Sequence, residues 1–383
     1  MTDSLLRTRD GHHARVGFVE LFFDLVFVFA VTQISHSLLH HLTWEGALHA
    51  AMMAAAVWWS WIYTSWVTNW ADPERVPVRI ALFVLMGLGL LMSTSLPEAF
   101  GEKGLWFAVA FVATSMVRSG FMLFAARNDA MLSRNFQRII IWQMFSGVFW
   151  IAGGLSEGEL RVGLWLTALF VEYISPAMFY RVPGLGQANT AEWTVEGGHM
   201  AERVGLFVII CLGDSLLITG ATFAEATWTP EVIAAAAVAF VGTLAMWWIY
   251  FSAAHDAASD VISHSDDAGA LARRAYTYCP ILIVAGIIVT AVGDELSLVH
   301  PTGHIEPAVA AVLIGGPLLF MVGGLLAKLA VFERWSIPRV AGCVALAALW
   351  FAVPFVTPLI LAALTTAVLI AVAGWETVSL RAG

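Results

Sequence analysis

The chain has 383 residues, of which 60% are hydrophobic and only 12% are charged, and its formal net charge is −9 at pH 7. Soluble domains carry about twice that share of charged residues, so the composition excludes an ordinary soluble domain and indicates a polytopic membrane protein. No basic patch or tail is apparent, so we expect no nucleic-acid partner. Cys211, Cys279 and Cys343 all lie in apolar runs, which argues against a disulfide framework or a zinc site.

The chain contains a series of apolar segments, each close to the roughly 20 residues that a helix needs to cross a bilayer. They predict an all-α polytopic membrane protein with about twelve transmembrane helices, at 17–40, 46–69, 78–97, 104–126, 138–155, 161–181, 201–223, 231–253, 273–292, 307–328, 337–353 and 355–374. Pro73, Pro77 and Pro230 lie between segments, where helices are expected to begin or end. Pro354 is compatible with either a tight hairpin or a kink between the last two segments.

The basic residues orient these predicted helices. With the N-terminus in the cytosol, nearly all Lys and Arg residues fall in predicted inner segments, and the outer ones hold Lys103 and Arg161. Cytoplasmic loops of membrane proteins are enriched in such residues. The pattern therefore predicts that both the N- and C-termini are cytosolic, and it leaves Arg118 inside the fourth span.

Three short motifs occur twice in the chain. HHARVG recurs as HMAERVG, the Asp of FFDL recurs in LGDS, and WIY occurs at two places. The matched positions are Arg15 and Arg203, Asp24 and Asp214, and 61–63 and 248–250. Their offsets of 188, 190 and 187 residues are close to half the chain, so they predict two six-helix repeats, 1–190 and 191–383. Because six is an even number, the repeats are expected to be parallel in the membrane.

The first predicted span carries two carboxylates, Glu20 and Asp24, four residues apart and therefore on one helix face. A charged side chain in the bilayer costs roughly 2.5–3.5 kcal/mol on insertion scales, and such residues usually face a bundle interior and mark ion pathways. For Glu20, a position at the helix end in contact with cytosolic water is the alternative.

Two further ionisable residues lie at the predicted depth of Asp24, about 12 Å from the cytosolic edge. These are Arg118 in the fourth span and Glu172 in the sixth. We expect the three groups to neutralise one another, either as a proton or cation relay or as a structural ion pair that fixes helix packing.

The seventh span has its own polar residues. Glu202 and Arg203 lie at its inner end, and Asp214 lies deeper, between Gly213 and Ser215. This tripeptide could loosen the helix and free backbone carbonyls for an ion, as in discontinuous transporter helices. The alternative is a buried Asp bonded to Ser or Trp neighbours.

Aromatic residues repeat with the WIY motif and are candidates for a substrate pocket, with simple packing as the alternative. They are Trp58, Trp61 and Tyr63 in the second span and Trp248 and Tyr250 in the eighth.

Three stretches, VELFFDLVFVFAVTQISH, WWSWIYTSWVTNWADP and HMAERVGLFVIICLGDSLL, resemble the bacterial low-temperature-requirement A (LtrA) family, and the resemblance extends over nearly the whole chain. It implies a multi-pass protein of the inner (plasma) membrane whose biochemical activity is not established. The family's pattern has Glu where this chain has Asp214, which shortens the reach of the carboxylate. FFDLVFVFAVT, from Phe22 to Thr32, is also similar to the potassium channels with a Phe-Ser-Asp motif, with Phe23 in place of Ser.

A secondary transporter, coupled to protons or monovalent cations through intramembrane carboxylates, fits two six-helix repeats with an acid on the leading helix of each. A cation channel fits the Phe-Asp likeness, and a structural or lipid-interacting membrane protein also stays open. No nucleotide-binding loop, Ser/His/Asp order or metal-ligand spacing is apparent, so we expect no enzyme activity, no cofactor and no bound metal. We favour the transporter, with the lipid bilayer, a proton or cation and an unknown small solute as partners. Whether it forms a homo-oligomer stays open.

Overall fold

A computed structural model of the protein describes residues 4–8, 15–189, 195–251 and 268–382. Over these residues the chain is almost entirely helical and contains no β-strand. Isolated bridges join Leu6 to Ala71 and Val182 to Gly186. The predicted all-α class is therefore confirmed.

Twelve helices account for most of the described residues. In chain order they are α1 Phe18–His40, α2 Trp44–Trp70, α3 Val76–Ser95, α4 Gly104–Ala125, α5 Ala130–Gly154, α6 Gly158–Ile174, α7 Gly197–Glu225, α8 Pro230–Tyr250, α9 Cys279–Val299, α10 Pro307–Phe332, α11 Ile337–Ala348 and α12 Pro358–Ala382. A short helix, Ala268–Ala272, and a π-helical turn, Arg273–Tyr278, lead into α9.

Nine helical segments of the described chain are long and apolar enough to cross a membrane. They contain α1, α3, α4 and α7 to α12, whereas α2, α5 and α6 are not among them. Tryptophan and hydroxyl side chains lower the mean hydropathy of α2, Arg134 and Arg138 lower that of α5, and α6 has only 17 residues. The membrane class is confirmed, and the count of twelve spans stays a prediction.

The region around Pro354 separates two helices. α11 continues as a 3-10 helix, Leu349–Phe355, and Val356 after it has an extended backbone. α12 then begins at Pro358. Of the two alternatives at this proline, the structure shows a break between separate helices.

The described residues form two compact units. The first unit consists of the described residues within Met1–Ile34, Leu48–Arg203 and Asp266–Ala270. The second unit consists of those within Ser35–Ala47, Val204–Ser265 and Leu271–Gly383. The first unit has an aromatic core that includes Phe107, Trp150 and Trp165. The predicted repeats, 1–190 and 191–383, and the cytosolic termini stay predictions.

In the second unit, α9 and α10 approach closely at glycines. A Cβ atom added to Gly286 would lie 2.3 Å from the backbone nitrogen of Phe320, and one added to Gly316 would lie 2.5 Å from that of Thr290. Small residues at such crossings let helix backbones pack directly in membranes, where the hydrophobic effect does not drive helices together.

Candidate functional site

Asp24 of α1 is completely buried, and its carboxylate has three hydrogen bonds from side chains. Arg203 of α7 donates two of them, from Nη1 to Oδ2 at 2.9 Å and from Nη2 to Oδ1 at 2.8 Å. Trp61 of α2 donates the third, from Nε1 to Oδ1 at 2.7 Å. Two-point binding of a carboxylate by Arg is among the stronger hydrogen-bonding arrangements in proteins, so Asp24 is held without any exposure to solvent.

Glu20 lies one helical turn before Asp24 and is also completely buried. Its Oε1 is 3.0 Å from Nε2 of His199. Its Oε2 accepts hydrogen bonds from Nη2 of Arg7 at 3.2 Å and from the backbone N–H of Gly17 at 2.8 Å. The alternative in which Glu20 reaches water from the helix end is therefore wrong. Buried charges need this kind of pairing, because losing water is costly.

His199 is fixed from both sides. Its Nε2 faces Glu20, its Nδ1 is 3.3 Å from Nδ2 of Asn69, and its backbone N–H donates to Oε2 of Glu196 at 2.6 Å. Asn69 in turn donates to the backbone carbonyl of Glu196 at 2.9 Å. An imidazole held against a carboxylate is a group that can take up and release a proton.

Arg203 lies between the two carboxylates. Its terminal nitrogens bind Asp24, and its Nε lies 4.0 Å from Oε1 of Glu20. That Nε has no hydrogen-bond partner among the described residues. The guanidinium also faces the ring of Trp61, with its central carbon 5.5 Å from the ring centroid. We name Arg7, Glu20, Asp24, His199 and Arg203 the buried ion cluster.

The expected neutralisation of Asp24 by Arg118 is wrong, because Arg203 is the counterion of Asp24. Arg118 is buried elsewhere in the first unit, where its Nη1 donates to the backbone carbonyl of Ser60 at 3.0 Å. Its guanidinium carbon lies 5.0 Å from the ring centroid of Tyr63. Predicted depth gave the level of these residues in the bundle, and it carried no information about which helices are neighbours.

Glu172 of α6 forms a second buried polar centre. It accepts hydrogen bonds from Nε1 of Trp59 at 2.9 Å and from Oγ of Ser146 at 2.5 Å. Arg118, the third member of the expected group, hydrogen-bonds the backbone carbonyl of Ser60 and the hydroxyl of Ser115 instead. Glu172 is therefore held by neutral donors. It is a suitable control residue for substitutions in the buried ion cluster, because it is a buried acid outside that cluster.

The seventh-helix candidates have different surroundings. Glu202 is half-buried and accepts a hydrogen bond from the backbone N–H of Val16 at 3.2 Å. Asp214 is buried, and α7 runs through it as a continuous α-helix, so the predicted opening of the helix there is wrong. Arg15 is exposed, whereas its matched position Arg203 has no exposed surface.

The aromatic candidates also differ in environment. Trp58, Trp61 and Tyr63 are buried in the first unit, and Trp61 donates a hydrogen bond to the carboxylate of Asp24. In the second unit Tyr250 is half-buried, and Trp248 is exposed and lines a groove of about 440 Å³.

Sequence reasoning missed a buried ion cluster in the second unit. Oε1 of Glu376 accepts hydrogen bonds from Nε of Arg339 at 2.9 Å and from Nζ of Lys328 at 2.7 Å. Nη2 of Arg339 also donates to the backbone carbonyl of Ile249 at 3.0 Å. The last span was predicted to end at residue 374, which placed Glu376 in a loop. If the last apolar helix had been extended past residue 374, Glu376 would have been recognised as an acid inside a membrane helix.

The same error of helix ends hid His199 and Asp294. The seventh span was predicted to begin at 201 and the ninth to end at 292, whereas α7 begins at Gly197 and α9 ends at Val299. Asp294 is 8% exposed. Among the described residues, no group of three or more His, Cys, Asp or Glu side chains is placed to hold a metal ion.

Comparisons with known proteins match nearly the whole chain. The family model described as bacterial low temperature requirement A protein (LtrA) matches residues 15–374. An uncharacterized protein of Rhizobium meliloti (strain 1021) is 42% identical over 380 residues, which are 98% of this chain and 92% of that protein. No solved structure matches. Glu20, Asp24 and Arg203 lie within the residues that the family model matches, and Arg7 and Glu376 lie outside them.

Proposed function

The chain belongs to the bacterial low temperature requirement A family, and from this premise we propose that it is a secondary transporter of the inner membrane, coupled to protons through the buried ion cluster. The observation that carries the proposal is the position of Arg203, which binds Asp24 at two points and lies 4.0 Å from Glu20. Ionisable residues inside membrane-spanning helices are costly, and they commonly mark proton and ion pathways.

The charge balance of the buried ion cluster supports a coupling role. With His199 neutral, the carboxylates of Glu20 and Asp24 balance the guanidinium groups of Arg7 and Arg203. One added proton upsets this balance among side chains with little or no exposed surface, where electrostatic interactions are strong. Proton binding therefore has a large effect on which partners stay together.

The proposed step is an exchange of partners by Arg203. When Asp24 binds a proton, its attraction for Arg203 falls, and the guanidinium moves toward the carboxylate of Glu20. When the proton leaves, Arg203 returns to Asp24. His199, whose Nε2 lies 3.0 Å from Oε1 of Glu20, is the member of the cluster that passes the proton to or from the carboxylates. Two discrete arrangements of one side chain give an equilibrium that a bound solute can shift.

The channel alternative makes a different prediction about flux. A channel conducts its ion without an obligatory counter-movement of protons, whereas a coupled transporter moves both in a fixed ratio. The completely buried state of Glu20, Asp24 and Arg203 supports occlusion rather than an open water path through the cluster. A purely structural or lipid-interacting protein would move neither.

The test is flux in proteoliposomes that contain the purified full chain and a pH-sensitive dye. Imposed gradients of sodium, potassium and a panel of small amines, organic acids and sugars should include one that drives proton movement. Asp24→Asn should abolish it, while Glu172→Gln, which changes another buried acid of the same unit, should retain it. Coupling that is unchanged in a folded Asp24→Asn protein, or cation flux without proton movement, would contradict the proposal.

A further inference from the structure

The second unit has a cavity of about 690 Å³ where α7 ends, α8 begins and α9 ends. We name it the α7–α9 cavity. Ile218, Val232 and Leu298 give it apolar walls, and Glu225 and Glu295 line it as well. Sites for small molecules are commonly about 300–1,000 Å³, with apolar walls and a few placed polar groups. The cavity therefore has the size and lining of a site for an organic solute, which is much larger than a bare ion.

Two of the three ionisable residues that line the α7–α9 cavity are acidic, and the third is a histidine. They are Glu225, Glu295 and His36, and no Lys or Arg of the described chain lines the cavity. Glu295 is half-buried, so its carboxylate is partly shielded from solvent. Clefts lined by charge of one sign with apolar walls concentrate ions of the opposite sign. The electrostatics of the lining thus favour a cation.

A further acidic residue, Asp294, lies on the part of α9 that contributes to the cavity lining. Asp294 is the neighbour of Glu295, lies one turn before Leu298, and is 8% exposed. Its Oδ2 has no hydrogen-bond partner among the described residues, and the same holds for the buried Oγ of Ser297. Buried polar atoms without partners are rare and costly, and each calls for an explanation such as a bound ion. Asp294 therefore places a third acidic side chain, after Glu225 and Glu295, on the segment of α9 that lines the cavity.

We infer that the α7–α9 cavity binds a small organic cation, an ammonium group with apolar substituents. Its charge faces Glu225 and Glu295 and is drawn toward Asp294, and its substituents pack on Ile218, Val232 and Leu298. This inference rests on the proposed function in one respect, since it names the class of solute that the transporter would move. With the N-terminus in the cytosol as predicted, the cavity is at the outer ends of α7 and α9, where an external solute enters.

The experiment measures the reactivity of a cysteine placed in the cavity. Thr222→Cys, in a full-length protein with its three native cysteines replaced by Ala, is reconstituted in lipid nanodiscs. It is treated with a trimethylammonium methanethiosulfonate and with a sulfonate methanethiosulfonate of the same length. After correction for each reagent's rate with a free thiol, the cationic reagent should react about five-fold faster or more at low salt. Glu225→Gln with Glu295→Gln should bring the ratio close to that of the control.

The control is Thr302→Cys, at an exposed position of the same unit that does not line the cavity. Tetraethylammonium should slow labelling at residue 222 in a saturable manner and leave residue 302 unaffected, while potassium at equal concentration should not protect. Thr227→Cys, also in the lining, replaces Thr222→Cys if that variant does not fold.

Equal ratios at the cavity and control positions, or an absence of protection by tetraethylammonium, would overturn the inference. Equal protection by potassium would overturn it too, because it would show only charge screening. Labelling requires no flux, so a failure of proton coupling in proteoliposomes overturns the transport proposal separately and leaves this measurement valid.

Discussion

Asp24 and Arg203 lie equally far from the N-terminal ends of their helices, α1 and α7. Asp24 is the sixth residue after Phe18, where α1 begins, and Arg203 is the sixth residue after Gly197, where α7 begins. At 1.5 Å per residue, both lie about 9 Å from the helix start. The equal depth allows the guanidinium to meet the carboxylate at two points, and it makes the pair the centre of the buried ion cluster.

A double-mutant cycle should show strong coupling between Asp24 and Arg203. Arg203→Gln leaves the Asp24 carboxylate without its counterion, and breaking a buried pair in this way costs about 3–5 kcal/mol of unfolding free energy. Asp24→Asn should cost less, because Arg203 can turn to Glu20. The double variant should be more stable than the two single effects predict, by about 1–3 kcal/mol. Thermal and denaturant unfolding in detergent measures all four proteins.

The matched control for that cycle pairs Asp24→Asn with Arg118→Gln. Since Arg118 bonds Ser60 and not Asp24, the two effects should add. Coupling between Asp24 and Arg118, or additivity between Asp24 and Arg203, would contradict the structure.

The variant Arg203→Lys tests whether proton coupling needs the two-point binding of Asp24 by Arg203 or only a positive charge at this position. Lysine keeps the positive charge, but as a compact ammonium it cannot bind both oxygens of Asp24 while lying near Glu20. We expect the variant to fold and to lose most of the proton coupling in proteoliposomes. Arg127→Lys changes an exposed arginine and should behave as the wild type. If Arg203→Lys retains full coupling, the proposed exchange of partners is wrong.

Glu376 should be a structural residue of the second unit. Glu376→Gln leaves Arg339 and Lys328 positively charged at a buried site, so the unfolding free energy should fall by about 3–5 kcal/mol. The exposed residue Glu333 offers a control, since Glu333→Gln should change stability by less than about 0.5 kcal/mol. Similar stability of the two variants, measured by unfolding in detergent, would show that the Glu376 cluster is not needed for packing.

The length of the apolar runs and the composition were sufficient to predict the helical class, because an apolar run of about 20 residues in a membrane satisfies its backbone as a helix. They were also sufficient to select Glu20, Asp24 and Arg203, since charged residues are conspicuous in apolar segments. Helix ends were harder to predict. Polar residues at the ends of α7, α9 and α12 continue the helix, so His199, Asp294 and Glu376 were assigned to loops.

The partners of these charges were beyond the reach of the sequence for a physical reason. Helix length gives the depth of a residue, whereas contact also depends on which helices are neighbours and on how each is rotated. Arg118 shares the predicted depth of Asp24 and Arg203 was predicted at the inner end of its span, yet the packing of the first unit selects Arg203. The motif HMAERVG contains both His199 and Arg203, but nothing in the motif indicates that these side chains face Glu20 and Asp24.

Topology can be tested with cysteines placed on exposed residues. The predicted cytosolic connection from 181 to 200 contains Asn189, which is exposed. Asn189→Cys should resist a membrane-impermeant thiol reagent in intact cells and react after the membrane is permeabilised. Thr302→Cys, in a predicted outer connection, should react in intact cells. The opposite pattern at either position would reject the orientation inferred from the Arg and Lys residues.

The last prediction concerns Asp214, the match of Asp24 in the second predicted repeat. Both carboxylates are buried, at 4% exposure for Asp214 and 0% for Asp24, although only Asp24 belongs to the buried ion cluster. Asn has nearly the same volume as Asp and cannot titrate, so each Asp→Asn variant should fold and lose a proton-binding step. We expect both to lose proton-coupled flux and its dependence on pH, with size-exclusion profiles like that of the wild type. If Asp214→Asn transports as the wild type does across pH while Asp24→Asn does not, coupling belongs to the first unit alone. If both transport normally, the two acids are structural and the transport mechanism must use other groups.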